Sequence, residues 1–162
     1  MKVRRATPDD VPVLVKLFQE LEKMQRDWRV FTPRPGFYDE VGRKYRDAMD
    51  HPDSVVLVAE DQGDVVGMAY GETRVPSRFS DERALEVSGV VVRSDFRGRG
   101  VGRALVAEAS RWATERAIPW VELKTFAPNA GAMDFWEALG FTPRVVQLTS
   151  ATSALAERLA ED

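Results

Sequence analysis

The apolar positions of the chain change period several times, and each change marks an element. Lys2–Ala6 reads as a short strand. Thr7-Pro8-Asp9-Asp10 then carries the marks of a helix start: a capping residue, proline at the first helical position and two acids in the first turn. Val11, Leu14, Val15, Phe18 and Leu21 follow at helical spacing as its buried stripe. Arg26–Phe37 breaks the pattern with Pro33, Pro35 and Gly36, and a second helix is predicted over Tyr38–Met49 with Val41, Tyr45 and Ala48 inward. Ser54–Glu60 and Val65–Arg74 read as a hairpin joined through Asp61-Gln62-Gly63-Asp64. A polar loop at Pro76–Glu82 leads to a long strand, Arg83–Val92. Val101, Leu105, Val106, Ala109, Trp112 and Ala113 return to helical spacing. A strand over Pro119–Phe126, a short helix capped by Asn129 and stopped by Gly140, a strand over Phe141–Ser150 and a terminal helix over Ala151–Glu161 complete the prediction. The order predicts a single α/β domain over residues 1–162 with a mixed sheet.

On the long strand, alternation sends Glu86, Ser88, Val90 and Val92 to one face and Leu85, Val87 and Val91 to the other. Gly89 is the expected place for a bulge that would splay this strand from its neighbour.

Composition narrows the chemistry. The 162 residues carry no cysteine and a single histidine, His51, so a cysteine nucleophile, a disulfide, a histidine triad or a multi-histidine metal site has almost no material. No metal is expected. A net charge of −3 gives no general pull toward nucleic acid, no apolar run reaches spanning length, and no signal-peptide pattern opens the chain. A cytoplasmic protein with no membrane partner is the expectation.

The most informative segment is Val90-Val91-Val92-Arg93-Ser94-Asp95-Phe96-Arg97-Gly98-Arg99-Gly100-Val101-Gly102-Arg103, a strand that hands over to a basic, glycine-rich helix start. Glycines admit close approach of a ligand. The orphan N–H groups and the positive end of the helix dipole favour phosphate, and arginines add charge. A P-loop would need Lys-Ser or Lys-Thr after the glycines, and a dinucleotide fingerprint would need glycine at position 103, which is arginine. A basic helix start without a ligand is the alternative.

Arg97, Gly100 and Gly102 form Arg-x-x-Gly-x-Gly, and Asn129-Ala130-Gly131-Ala132-Met133-Asp134-Phe135-Trp136-Glu137-Ala138-Leu139-Gly140-Phe141 follows. Together these resemble the acyl-coenzyme A signature and the later Asn-x-x-Ala-x-x-Phe-Tyr-x-x-x-Gly-Phe motif of the GCN5-related N-acetyltransferase family. The resemblance implies that family's acyl-CoA N-acyltransferase fold, an α/β domain with a mixed, mostly antiparallel sheet flanked by helices, together with acetyl-CoA as co-substrate and acetyl transfer to a primary amine of a small molecule or peptide by direct attack. It implies that Val90, Val91 and Val92 flank the pantetheine and thioester, with the Val90 N–H as oxyanion donor. Arg97, Gly98, Arg99, Gly100, Val101, Gly102 and Arg103 would hold the pyrophosphate. Asn129, Phe135 and Trp136 would approach the pantetheine. Glu86, eleven residues before Arg97, occupies the position of a catalytic glutamate in several members, and its other reading is a glutamate at a solvated strand edge.

Trp136 departs from the family, where many members place a tyrosine acting as general acid. An indole N–H donates a hydrogen bond and does not give up its proton. A non-catalytic acyl-CoA-binding module is therefore the rival reading. The acceptor region implied by the resemblance contains Trp28, Phe31 and Tyr38 beside acids, with Glu72 on the preceding strand. These aromatics suit a cation with apolar surface, or else they close the core. Many relatives dimerise, which makes a homodimer an expectation.

Overall fold

The computed structural model describes residues 1–28, 33–74 and 81–160, so Phe31 and most of the Pro76–Glu82 loop lie outside the described residues. The chain divides into two compact units, Met1–Lys124 and Thr125–Asp162.

The first unit is built on a five-stranded sheet in the order β1-β2-β3-β4-β5. These strands are β1 (Lys2–Arg5), β2 (Ser54–Asp61), β3 (Asp64–Arg74), β4 (Ala84–Val92) and β5 (Trp120–Leu123). The first four pair antiparallel, and β4 pairs parallel with β5 after a crossover through α3 (Val101–Glu115). Two helices, α1 (Val11–Gln25) and α2 (Phe37–Asp50), cover the other face. The core therefore has two halves. Leu57, Val66, Leu85 and Val87 meet Val101, Leu105 and Trp112 of α3, whereas Val56, Val58, Met68 and Tyr70 meet Leu14 and Leu17 of α1 and Tyr45 of α2. Because β2 and β3 are covered on both sides, they read as continuous apolar runs rather than alternating ones.

The start of α1 is fixed by charge as well as by capping. Asp10, 7% exposed, accepts from the Thr7 N–H at 2.7 Å and from Arg4 at 2.7 and 3.0 Å, while the Arg4 Nε–H also reaches Glu60 at 2.9 Å. These bonds hold the Asp10 carboxyl below the usual carboxylate range, with the Arg4 guanidinium as the main cause.

The face assignment on β4 needs correction. Tyr70 pairs with Gly89 but Gly71 pairs with Val87, so β4 carries one extra residue, Ser88, and it is exposed. The bulge lies one residue before the expected glycine, and it reverses the alternation beyond it. Leu85 and Val87 share the α3 face with Val90 and Val92, while Val91 packs with α1 and α2.

The second unit contains α4 (Ala130–Glu137) and α5 (Thr152–Ala160). Asn129 caps α4 as expected, its Oδ1 accepting from the Ala132 N–H at 3.2 Å. The strand predicted over Phe141–Ser150 is not formed. Val145, Val146 and Leu148 are 89%, 76% and 89% exposed, so this segment has strand-forming side chains without a ladder or a face to bury.

Candidate active site

The glycine-rich segment takes the conformation its residues allow. A 3₁₀ turn at Ser94–Phe96 follows β4, Gly98 and Gly100 adopt φ of +72° and +82°, and α3 begins at Val101. Both glycines occupy left-handed backbone that other residues enter only with strain. A Cβ built on either meets nothing within 4 Å, so the loop opens onto free space. No side chain caps α3, and the first helical bond made across its start runs from the Ala104 N–H to Gly100 O. The amides of the first turn thus face outward beside exposed Arg97, Arg99 and Arg103, a donor set that fits a diphosphate.

The arginines are partly arranged by their neighbours. Arg97 donates from Nε to Val92 O at 3.1 Å and from Nη2 to the Met24 sulfur at 3.1 Å. Arg93 is bound bidentate to Asp95, and Arg93 and Arg99 lie over the Phe96 ring at 4.5 and 5.0 Å.

The end of β4 leading to this loop has a second opening. The β4–β5 ladder covers only Ala84–Val87, although β4 runs on to Val92. On the opposite side the Arg93 N–H bonds to Val66 O at 2.9 Å, and this fixes the alternation of the antiparallel ladder. Val92 and Val90 fall at its non-bonded pairs, with Gly67 and Ala69. Their N–H and C=O groups therefore point away from β3, toward the side where β5 no longer pairs. The bulge and the early end of β5 together leave a row of backbone donors and acceptors unpaired by any strand along the far half of β4.

Glu86 lies on the same strand, before the bulge, and lines a cleft of about 720 Å³ between α2 and the sheet. The lining contains five carboxylates, from Glu40, Asp47, Asp53, Glu72 and Glu86, against three cations, from Arg43, Lys44 and Arg74, so the cleft favours positive ligands. The Glu86 carboxylate accepts from Lys124 at 3.3 Å, and Glu72 pairs with Lys44 at 3.6 Å. His51 also lines the cleft, and its Nδ1 accepts from the Asp53 N–H at 3.2 Å.

The structure thus brings Glu72 and Glu86 together and leaves two other acceptor candidates elsewhere. The Tyr38 hydroxyl donates to Glu22 at 3.0 Å, and Glu22, 1% exposed, is also gripped by Arg26 at 2.9 and 3.2 Å. This cluster ties α1 to α2, and the Arg26 guanidinium holds the Glu22 carboxyl below its ordinary range against the opposing pull of burial. Trp28 sits half-buried in the 3₁₀ turn Arg26–Trp28. Within the second unit, Phe135 and Trp136 stack edge to face at 4.8 Å, and Trp136 meets Phe141 at 5.2 Å. Lys44, Arg74 and Glu122 are site neighbours that sequence reasoning missed, because strand register brings Arg74 and Glu122, and the packing of α2 on the sheet brings Lys44, beside Glu72 and Glu86. Among the described residues no group of three metal-ligating side chains converges, and no helix is long and apolar enough to cross a membrane.

Comparison with known proteins bears on the fold and the family. An uncharacterized N-acetyltransferase of Archaeoglobus fulgidus is 28% identical over 136 residues, 84% of this chain and 89% of that protein. Another, of Methanocaldococcus jannaschii, is 34% identical over 90 residues, 56% of this chain but only 40% of its relative's length. The structure of the aminoglycoside N-acetyltransferase AAC(6')-Iy in complex with CoA superposes with a TM-score of 0.73 at 21% identity, covering 92% of this chain and 93% of that one. Residues 18–141 match the acetyltransferase (GNAT) family, and the chain belongs to that family.

Proposed function

We propose that this protein transfers the acetyl group of acetyl-CoA to a primary amine of a small molecule or peptide by direct attack. One observation carries the reading: the uncapped, glycine-opened start of α3 lies at the end of a strand whose Val90 and Val92 backbone groups are turned out of the ladder. The first turn of α3 with Arg97, Arg99 and Arg103 would hold the diphosphate, and the exposed edge of β4 would hydrogen-bond the pantetheine amides. Asn129, Phe135 and Trp136 complete the proposed cofactor set by resemblance to the family's later motif. Acetyl-CoA supplies an activated thioester.

The chain's own residues provide three functions. The Val90 N–H donates to the carbonyl oxygen as negative charge builds there. Glu86 accepts the proton that the attacking amine must lose, since an alkylamine has a pKa near that of lysine, about 10.4. Along a strand rising about 3.3 Å per residue, Glu86 and Val90 are about 13 Å apart before the bulge shortens the path, so the proton travels through water. The acidic cleft attracts the amine as a cation before it is deprotonated. The departing thiolate needs no strong acid, because a thiol pKa of about 8.5 puts its free release only about 2 kcal/mol uphill at neutral pH.

Trp136 favours one second reading, a non-catalytic acyl-CoA-binding module, because it replaces the family's tyrosine. Release of free thiol from acetyl-CoA across a panel of amines separates the two. Amine-dependent release supports the enzyme, and tight acetyl-CoA binding with no release from any amine supports the module.

A further inference from the structure

The buried stripe of α1 does not stay apolar to its end. Val11, Leu14 and Leu17 are buried, and the same face continues with Glu22 and then Gln25, which is 8% exposed. Leu14 and Gln25, like Val11 and Glu22, are eleven residues apart, three helical turns to within about 20°. Leu14 and Leu17, with the partly buried Leu21, pack on the sheet cluster that includes Met68 and Val91. The last turn of α1 thus carries two polar side chains where a core-facing stripe calls for apolar ones.

The two are not alike. Glu22 accepts from Arg26 and Tyr38, which explains its burial. Gln25 makes no side-chain hydrogen bond among the described residues, yet it is not one of the unpartnered groups shut off from solvent, so the exposure it keeps includes its amide. A buried amide left without partners lowers stability in a way that an apolar side chain of similar size would not. The helix turn that carries it is fixed at the exit of β4. Arg97 donates from Nε to Val92 O and from Nη2 to the Met24 sulfur, both at 3.1 Å. Val91, on which the stripe packs, stands between Val90 and Val92, whose main-chain groups are turned out of the ladder. The acidic cleft lies at the other end of β4, beside Glu86, and no residue of α1 lines it. The Gln25 amide therefore belongs with the donor end of the strand and not with the acceptor end.

We infer that Gln25 is a further cofactor-binding residue, its carboxamide hydrogen-bonding an amide of the arm that joins the diphosphate of acetyl-CoA to the thioester. This rests on the reading of the α3 start as the acetyl-CoA site. A carboxamide offers both donors and an acceptor, so it matches an amide, which has one of each. It brings no charge, which leaves the diphosphate to the arginines and the helix amides. The strand grips the arm through its main chain, and α1 grips it through this one side chain. Without ligand the protein carries the amide at a cost in stability, and the bound arm removes that cost.

The test compares the full chain with Gln25→Met, which keeps the length of the side chain and removes the amide, and with Gln25→Leu as a second apolar variant. Thermal unfolding is read without ligand, and calorimetry is read with acetyl-CoA and with ADP, which carries the diphosphate but not the arm. Without ligand, Gln25→Met is expected to melt about 3 °C higher than the parent, because an unpartnered amide leaves the interior. Its Kd for acetyl-CoA should rise about tenfold while its Kd for ADP stays within about twofold of the parent value. Gln25→Leu should move each quantity in the same direction. A lower Tm in both variants would show that the amide has a partner inside the protein, and overturns the inference. Unchanged acetyl-CoA affinity overturns it, and so does an equal loss for ADP, which would put Gln25 at the diphosphate. If the parent binds neither ligand, the acetyl-CoA reading falls and takes this inference with it. Acetyl-CoA binding that is indifferent to Gln25 sinks the inference alone.

Discussion

Replacement of Gly100 by alanine tests the phosphate site with its own internal standard. Gly100 has φ of +82° and an added Cβ would meet nothing within 4 Å, so the substitution brings backbone strain without a clash inside the protein. Left-handed backbone costs an L-residue about 1–2 kcal/mol, and the stiffer unfolded chain returns about 0.5 kcal/mol, which leaves about 1 kcal/mol of destabilisation. For 162 residues this corresponds to a fall in Tm of about 3 °C. The ligand effect is larger, because the methyl group enters the space a diphosphate would fill. Loss of one charge-assisted amide bond there costs about 1.5–3 kcal/mol, or about a 10- to 100-fold rise in Kd for acetyl-CoA. Gly63, in the β2–β3 turn, supplies the control: its φ is +91° and its Cβ would also meet nothing within 4 Å. Gly63→Ala should lower Tm by the same few degrees and leave the acetyl-CoA Kd unchanged. Differential scanning fluorimetry and calorimetry read the two quantities separately. Equal acetyl-CoA affinities for the two variants would refute the assignment of the loop.

Three further outcomes are expected. Glu86→Gln should lower turnover by about 100-fold and change the shape of the pH–rate profile while acetyl-CoA affinity holds; a profile of unchanged shape would remove Glu86 as the base. Asp10→Asn should cost about 1.5–3 kcal/mol at neutral pH, because a mostly buried carboxylate loses its bonds from Arg4 and Thr7. The native pKa of Asp10 is depressed, so its contribution is complete above the ordinary value of 3.8 and is lost as pH falls through the lower native value. Denaturation curves of the two proteins should therefore converge in acid, and a gap independent of pH would contradict the charge argument. Gly71→Ala places a Cβ 2.8 Å from Leu85 Cδ1 and should lower stability by about 1–3 kcal/mol through overpacking, measured by urea denaturation.

Most elements were legible because local rules and global packing agree on them. The α3 stripe Val101, Leu105, Val106, Ala109, Trp112 and Ala113 is buried as its spacing predicts, and the glycines after Arg97 take the left-handed conformations that make them useful. What escaped depends on pairing between distant segments. Phe141–Ser150 has strand composition, yet composition cannot supply a partner strand. The bulge fell at Ser88 rather than Gly89, and that single residue exchanged the faces of everything after it. Tyr38 read as an acceptor aromatic, but its hydroxyl is held by a glutamate sixteen positions earlier on α1. The alignment of Glu72, Glu86 and Glu122 exists only in the register and has no trace in any one stretch of chain.

The extra residue at Ser88 divides β4 into two segments that answer to different neighbours. Upstream, Glu86 looks into the acidic cleft under α2; downstream, Val90 and Val92 seat their side chains against α3 and turn their amides outward. Substitutions on the upstream segment can retune which cation is admitted without moving the atoms proposed to grip the donor. The downstream segment would act through its main chain, its side chains being committed to the packing against the helices. On the proposed function, acceptor choice and donor binding would therefore be separable, each resting on its own side of the kink.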